Sequence, residues 1–167
     1  MSVEQLLAIE HIRQLKARYC RAVDTKDWQE LAAVFTEDAE FDVRNSRRNG
    51  DDASTVSEVL DDTFLIRGRD NIINFIRKRA AGVVTVHHGH TAEIDILSAC
   101  TARAIVPMED RNRRIEGGKV VYELWGYGHY RETYQREPGG RWQIETLKLT
   151  RLRVDITGDF IRRSKSP

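Results

Sequence analysis

A chain of 167 residues suits one compact domain with room for a real core. Its apolar fraction of 40% and charged fraction of 32% are ordinary for a soluble domain, and the net charge of +1 gives no general argument for nucleic acid or an anionic membrane as partner. No apolar run approaches the roughly 20 residues needed to cross a bilayer, the N-terminus lacks a signal-peptide pattern, and Cys20 and Cys100 stand outside any CxxC pair, so a cytoplasmic protein without disulfides is expected.

In chain order, residues 3 to 24 read as a helix. Ile9, Ile12, Leu15, Tyr19 and Val23 recur at three- and four-residue steps on one face, Ser2 and Gln5 form a possible capping box, and Asp24 lies on the shoulder of that face at the helix end. A short second helix is expected from Asp27, its N-cap, to Phe35, with Trp28, Leu31, Val34 and Phe35 inward. Glu40–Val43 reads as a short strand. Residues 44 to 62 form a polar, turn-rich loop whose only apolar grip is Val56, Val59 and Leu60; a lid and plain surface disorder both fit so long a connection. Phe64–Ile66 is another short strand, and a helix follows from Asp70 to Ala81, with Ile72, Ile73, Phe75 and Ile76 inward and Gly82 able to end it.

From residue 83 the pattern changes to long strands over 83–97, 100–115, 119–136 and 141–157, joined by turns at 97–99, 116–119 and 137–140. Helices followed by an antiparallel meander predict an α+β domain in which the helices cover one face of a curved sheet. One domain is expected over 1–160, with a short polar tail at 161–167. The Arg-rich runs at 111–114 and 162–163 lack interleaved aromatics and read as solvated surface.

The first long strand carries His87, His88 and His90, three of the five histidines. Imidazole titrates near neutrality, so this cluster is a candidate for proton transfer or metal binding. Neighbours on a strand point to opposite faces, so at most two of the three could share an ion, and no metal is expected. Strict alternation places His88 and His90 with Val84, Val86, Ile94 and Ile96. His87 falls on the mixed face with Thr85 and Gly89. In the next strand Ala102, Ala104, Val106, Met108 and Asp110 share a face. An acid completing an apolar stripe must be paired or have its proton affinity raised. There is no phosphate loop, dinucleotide fingerprint or nucleophile elbow, so no cofactor is expected.

Several segments together resemble a known family: Ile12–Tyr19, Val23-Asp24, Trp28–Leu31, His87–Thr91, Met108–Arg111, and Gly128-His129-Tyr130 with Tyr134 and Trp142. Their order resembles the cone-shaped fold of nuclear-transport-factor-2-like proteins. Within it they resemble the SnoaL-like branch, which includes scytalone dehydratase, bile acid dehydratases and hexachlorocyclohexane dehydrochlorinase. Carried over, the resemblance implies a pocket holding Tyr19, Asp24, His87 and Asp110, so it selects His87, which requires either a cavity on the mixed face or a bulge near Gly89.

The chemistry so implied is a dehydratase-like lyase without a cofactor, acting on a small or polycyclic apolar molecule with a carbonyl. His87 is the general base and Asp24 its orienting partner. Tyr19 and Asp110 act on the oxygen that gains charge or departs, with Asp110 able to protonate the leaving hydroxyl. His90, Val106, Met108 and Trp125 are expected to bind substrate. A double-bond isomerase, a non-catalytic ligand-binding module and the small subunit of a ring-hydroxylating oxygenase are the alternatives. A homodimer or homotrimer is expected, since Val121, Trp125 and Leu149 read as apolar residues on the outer sheet face.

Overall fold

The computed structural model describes residues 2–44, 46, 64–137 and 139–158. Nearly all of the expected loop at 44–62, including Val56, Val59 and Leu60, and the tail at 161–167 lie outside them.

Helix α1 runs Val3–Thr25 and begins with the expected capping box: Gln5 N–H donates to the Ser2 hydroxyl at 3.3 Å, and Ser2 N–H to Gln5 Oε1 at 2.9 Å. Its inner face carries Ile12, Leu15, Tyr19 and Val23, all buried. Helix α2 (Trp28–Ala33) is capped by Asp27, which accepts from Glu30 N–H at 3.0 Å. It stops two residues before the expected end, because Phe35 already belongs to a strand. Strand β1 spans Phe35–Asp42 and lies parallel to the last strand, with Phe35 opposite Ile144, so tertiary pairing overrides the helical spacing. After β2 (Leu65–Arg67), helix α3 (Arg69–Ala80) buries Ile72, Ile73 and Ile76.

Strands β3 (Val84–Gly89), β4 (Glu93–Ile96), β5 (Thr101–Glu116), β6 (Lys119–Gln135) and β7 (Gln143–Gly158) complete one seven-stranded sheet. Its order is β2-β1-β7-β6-β5-β3, with β4 also paired to β5; β1 with β7 is parallel and the other pairs are antiparallel. The core lies between the concave face and the helices, packing Ala8, Ile12 and Leu31 against Val106, Tyr130, Tyr134 and Leu147.

The single strand expected over 83–97 is divided. Gly89 pairs with Met108 and Glu93 with Ile105, and between them His90 N–H donates to the Pro107 carbonyl at 2.8 Å. Pro107 offers no N–H in return, so the ladder lapses there. Three residues, 90–92, then face two, 106–107, which reverses the alternation. Thr85 and His87 point inward before the break; Ile94 and Ile96 pack against the core after it.

A second irregularity lies on β7. Gly128 pairs with Arg151 but Tyr127 with Arg153, leaving Leu152 as the extra residue of a bulge. A Cβ on Gly128 would lie within 3.0 Å of the β7 backbone, so only glycine fits opposite this bulge. The bulge lets Leu149 and Arg151 below it, and Val154 and Ile156 above it, line the same cavity. Leu149, expected on the outer face, is therefore buried, whereas Trp125 is 42% exposed there.

Candidate active site

Four adjacent strands, β3, β5, β6 and β7, bring the polar side chains of the site together. His87 on β3 is the cross-strand partner of Asp110 on β5, and Asp110 that of Gly126 on β6. A Cβ on Gly126 would sit 2.6 Å from Asp110 Oδ1 and 2.7 Å from Arg151 Cζ. The missing side chain is the space through which Arg151 of β7 reaches Asp110. Arg151 donates through Nη1 to Asp110 Oδ1 and through Nη2 to Oδ2 at 2.9 Å, and Asn112 Nδ2 donates to Oδ2 at 2.9 Å. Both charged side chains are 5% exposed. This bidentate pairing answers the cost of burying Asp110 in an apolar stripe. It also sets three donors on the two carboxylate oxygens.

On the other side of His87, α1 ends where Asp24 meets β3. Asp24 Oδ1 lies 2.6 Å from His87 Nδ1 and accepts from the Thr85 hydroxyl at 2.9 Å, while Oδ2 accepts the His87 backbone N–H at 2.9 Å. Burial alone would raise the Asp24 carboxyl, but the bonds and charge of His87 and the Thr85 hydroxyl outweigh it and hold the group below its ordinary range. A carboxylate at Nδ1 fixes the neutral imidazole with its proton there and leaves Nε2 with a lone pair. Nε2 is 4.0 Å from Asp110 Oδ2, too far for a hydrogen bond and close enough to stabilise an imidazolium.

Tyr19 is buried beside Tyr130, their rings edge to face at 5.9 Å. Burial pushes the Tyr19 hydroxyl well above its ordinary range and the Cys20 and Glu132 charges add to this, so it is a neutral donor. Lys16, one turn earlier, rests its ammonium 4.0 Å from the Tyr19 ring centre and 3.5 Å from that of Tyr130, and donates to Glu132 at 2.5 Å.

Tyr19, His87, Asp110, Asn112 and Arg151 line one cavity of about 610 Å³, whose other walls include Val23, Phe41, Phe75, Ile76, Leu124 and Leu149. Asp24 stands behind His87, outside the lining. The expected substrate contacts separate. His90 and Val106 line a different groove of about 710 Å³, between the flank of α1 and β3, which His87 also borders. Met108 is buried with its sulfur 3.5 Å from Arg151 Nη1. Trp125 lines neither cavity. It lies on the outer face under the Arg111 guanidinium, since residues beside Gly126 point away from the cavity. His88 is exposed beside Glu109. Among the described residues no group of three His, Cys, Asp or Glu side chains is placed to hold a metal, and no helix is long and apolar enough to cross a membrane.

Thr85, Gly126 and Arg151 were not singled out by the sequence. Arg151 carried a readable signal: with Leu147 and Leu149 it continues an apolar alternation, as Asp110 does on β5, and two opposite charges ending facing stripes are natural partners.

The family model of the SnoaL-like domain matches residues 4–148, and the chain belongs to that family, within the cone-shaped nuclear-transport-factor-2-like fold. Solved structures of the same fold include a candidate scytalone dehydratase from Novosphingobium aromaticivorans, 21% identical with a TM-score of 0.72 over 97% of this chain and 94% of that one. A hexachlorocyclohexane dehydrochlorinase from Novosphingobium barchaimii is 15% identical with a TM-score of 0.69, covering 93% of both chains. A protein of unknown function from Mycobacterium tuberculosis is 24% identical with a TM-score of 0.65, over 89% of this chain and 73% of that one. At such identities the likeness is one of fold.

Proposed function

We propose that this SnoaL-like protein is a dehydratase-like lyase that needs no cofactor and removes water from an apolar, carbonyl-bearing substrate. The observation that carries the reading is the Asp24–His87 pair, 2.6 Å apart, at an apolar cavity large enough for a small or polycyclic molecule. The candidate dehydratase and the dehydrochlorinase among the fold's solved members lend it support.

His87 Nε2 takes the proton from the carbon beside the carbonyl. The C–H electron pair moves toward the carbonyl, whose oxygen gains charge and accepts from the Tyr19 hydroxyl. The imidazolium is held by Asp24 at Nδ1 and favoured by Asp110 beyond Nε2. The enolate pair then forms the new double bond as the hydroxyl on the next carbon departs, taking the proton back from His87. Water leaves and the base is regenerated.

A panel of small and polycyclic β-hydroxy and β,γ-unsaturated carbonyl compounds, incubated with the protein in heavy water and read by mass spectrometry, tests this. Products lighter by one water support the lyase. Products of unchanged composition that gain one deuterium indicate the isomerase, in which the proton returns to a different carbon. No conversion of any compound removes both and leaves a non-catalytic binding module or an oxygenase small subunit.

Assembly as a homodimer or homotrimer through the outer sheet face, where Val86 and Trp125 are exposed, belongs to the same proposal. Light scattering from a monomer would remove it.

A further inference from the structure

The turn between α1 and α2 holds a residue in a conformation its side chain does not favour. Lys26 closes α1 with φ 61° and ψ 29°, the left-handed region, and is the one non-glycine at positive φ among the described residues. Its N–H bonds the Ala22 and Val23 carbonyls, as a helix-ending glycine would. Glycine is the residue this backbone prefers, so keeping a lysine there has a cost that its side chain must answer.

That side chain leads to the site. Lys26 Nζ donates to the Thr85 hydroxyl oxygen at 2.8 Å, Thr85 donates to Asp24 Oδ1 at 2.9 Å, and the same oxygen lies 2.6 Å from His87 Nδ1. An ammonium has donors only, and a threonine hydroxyl has one proton. Since Lys26 can only donate, Thr85 accepts from it and spends its one proton on Asp24. We propose that Lys26 is a positioning residue for the dyad: it orients the Thr85 hydroxyl onto Asp24 and sets a positive charge behind the carboxylate, which lowers the readiness of His87 to hold a proton and keeps it free to act as a base.

The other groups facing the pair leave this role to Lys26. Tyr19 from α1 and Tyr130 from β6 are kept neutral by burial. Cys20, one turn before Asp24, is a buried thiol raised above its ordinary value, first by burial. Asp110 from β5 faces Nε2 on the far side of the ring from Asp24 and is paired with Arg151 from β7. The inference rests on the His87–Asp24 pair of the proposed function, but its test needs no substrate.

Full-length protein labelled with nitrogen-15 in its histidines allows the ring nitrogens of His87 to be followed against pH by magnetic resonance, with the His87→Gln variant assigning the signal. Lys26→Met raises the His87 midpoint by roughly half to one pH unit, the order expected of one charge three hydrogen bonds away at partial exposure. Lys26→Arg, which keeps the donor and the charge, titrates like the parent. Lys26→Gly removes the amine while suiting the backbone, so it shifts the midpoint as Lys26→Met does yet melts at a higher temperature than that variant. Should Lys26→Met fail to fold, Lys26→Gly carries the measurement. A midpoint unmoved in the folded variants lacking the amine overturns the inference and leaves the lyase proposal standing; absence of turnover with the midpoint shifted does the reverse.

Discussion

The carboxylate of Asp24 holds His87 at two points at once: Oδ1 at the ring nitrogen Nδ1, 2.6 Å away, and Oδ2 at the backbone N–H, 2.9 Å away. One side chain thus fixes both the tautomer of the base and the position of the strand that bears it. α1 closes this sheet edge and orients the histidine through the same contacts.

This grip makes stability depend on acid. Asp24 titrates below its ordinary range when folded, so its contribution is fully present above the unfolded value of about 3.9 and is lost as pH falls through the lower folded value. Melting temperatures recorded from pH 7 down to pH 2 should fall more steeply for the parent than for Asp24→Asn in the acid range. Equal slopes would remove the inferred linkage.

The Asp110–Arg151 pair predicts strong coupling. Arg151→Met leaves a buried carboxylate unpaired and should cost about 3–5 kcal/mol in chemical denaturation, whereas Asp110→Leu combined with Arg151→Met should cost less than either single change. Arg151→Lys should not restore the parent, because a lysine cannot bond both carboxylate oxygens in the same fork. Additive losses would show that the two side chains do not act as a pair.

Gly126→Ala tests the passage between them. The added methyl would overlap the guanidinium and one carboxylate oxygen, so the pair must move while the strand itself stays paired. We expect a folded protein by circular dichroism with a lowered melting temperature and an activity loss of about tenfold or more, a barrier change of at least about 1.4 kcal/mol. Parent-like activity would separate the pair from the chemistry.

Deeper in the core, Lys16 and Glu132 form a second buried pair, and the Tyr134 hydroxyl donates to Glu132. Glu132→Gln leaves the ammonium against two tyrosine rings without its counter-charge and should destabilise by about 3–5 kcal/mol. Lys16→Met together with Glu132→Leu should recover much of this. Urea titrations of the three variants decide it.

Much of the architecture was legible in the sequence, because periodicity reports which face of each element is buried. The α1 stripe, the Ser2 and Asp27 caps and the apolar face ending in Asp110 are local patterns with local causes. What was hidden depends on neighbours. The parallel pairing of Phe35 with Ile144 cut α2 short. Pro107, on a different strand, interrupted the strand of the histidines and reversed its alternation, so His87 and Ile94 face the same core although their spacing denies it. Asp110 was readable as an acid needing a partner, but the partner required Gly126 and the Leu152 bulge to bring Arg151 across a strand. Trp125 was expected to bind substrate. Its place beside an inward-facing glycine turns it outward.

The proposed elimination depends most directly on His87 as the base. For the first compound in the panel that the protein converts, the rates of parent and His87→Ala should be compared at equal, verified folding. A loss of about 10²–10⁴ in kcat, with the melting temperature little changed, is the predicted result. A His87→Ala protein that turns over at the parent's rate would contradict it.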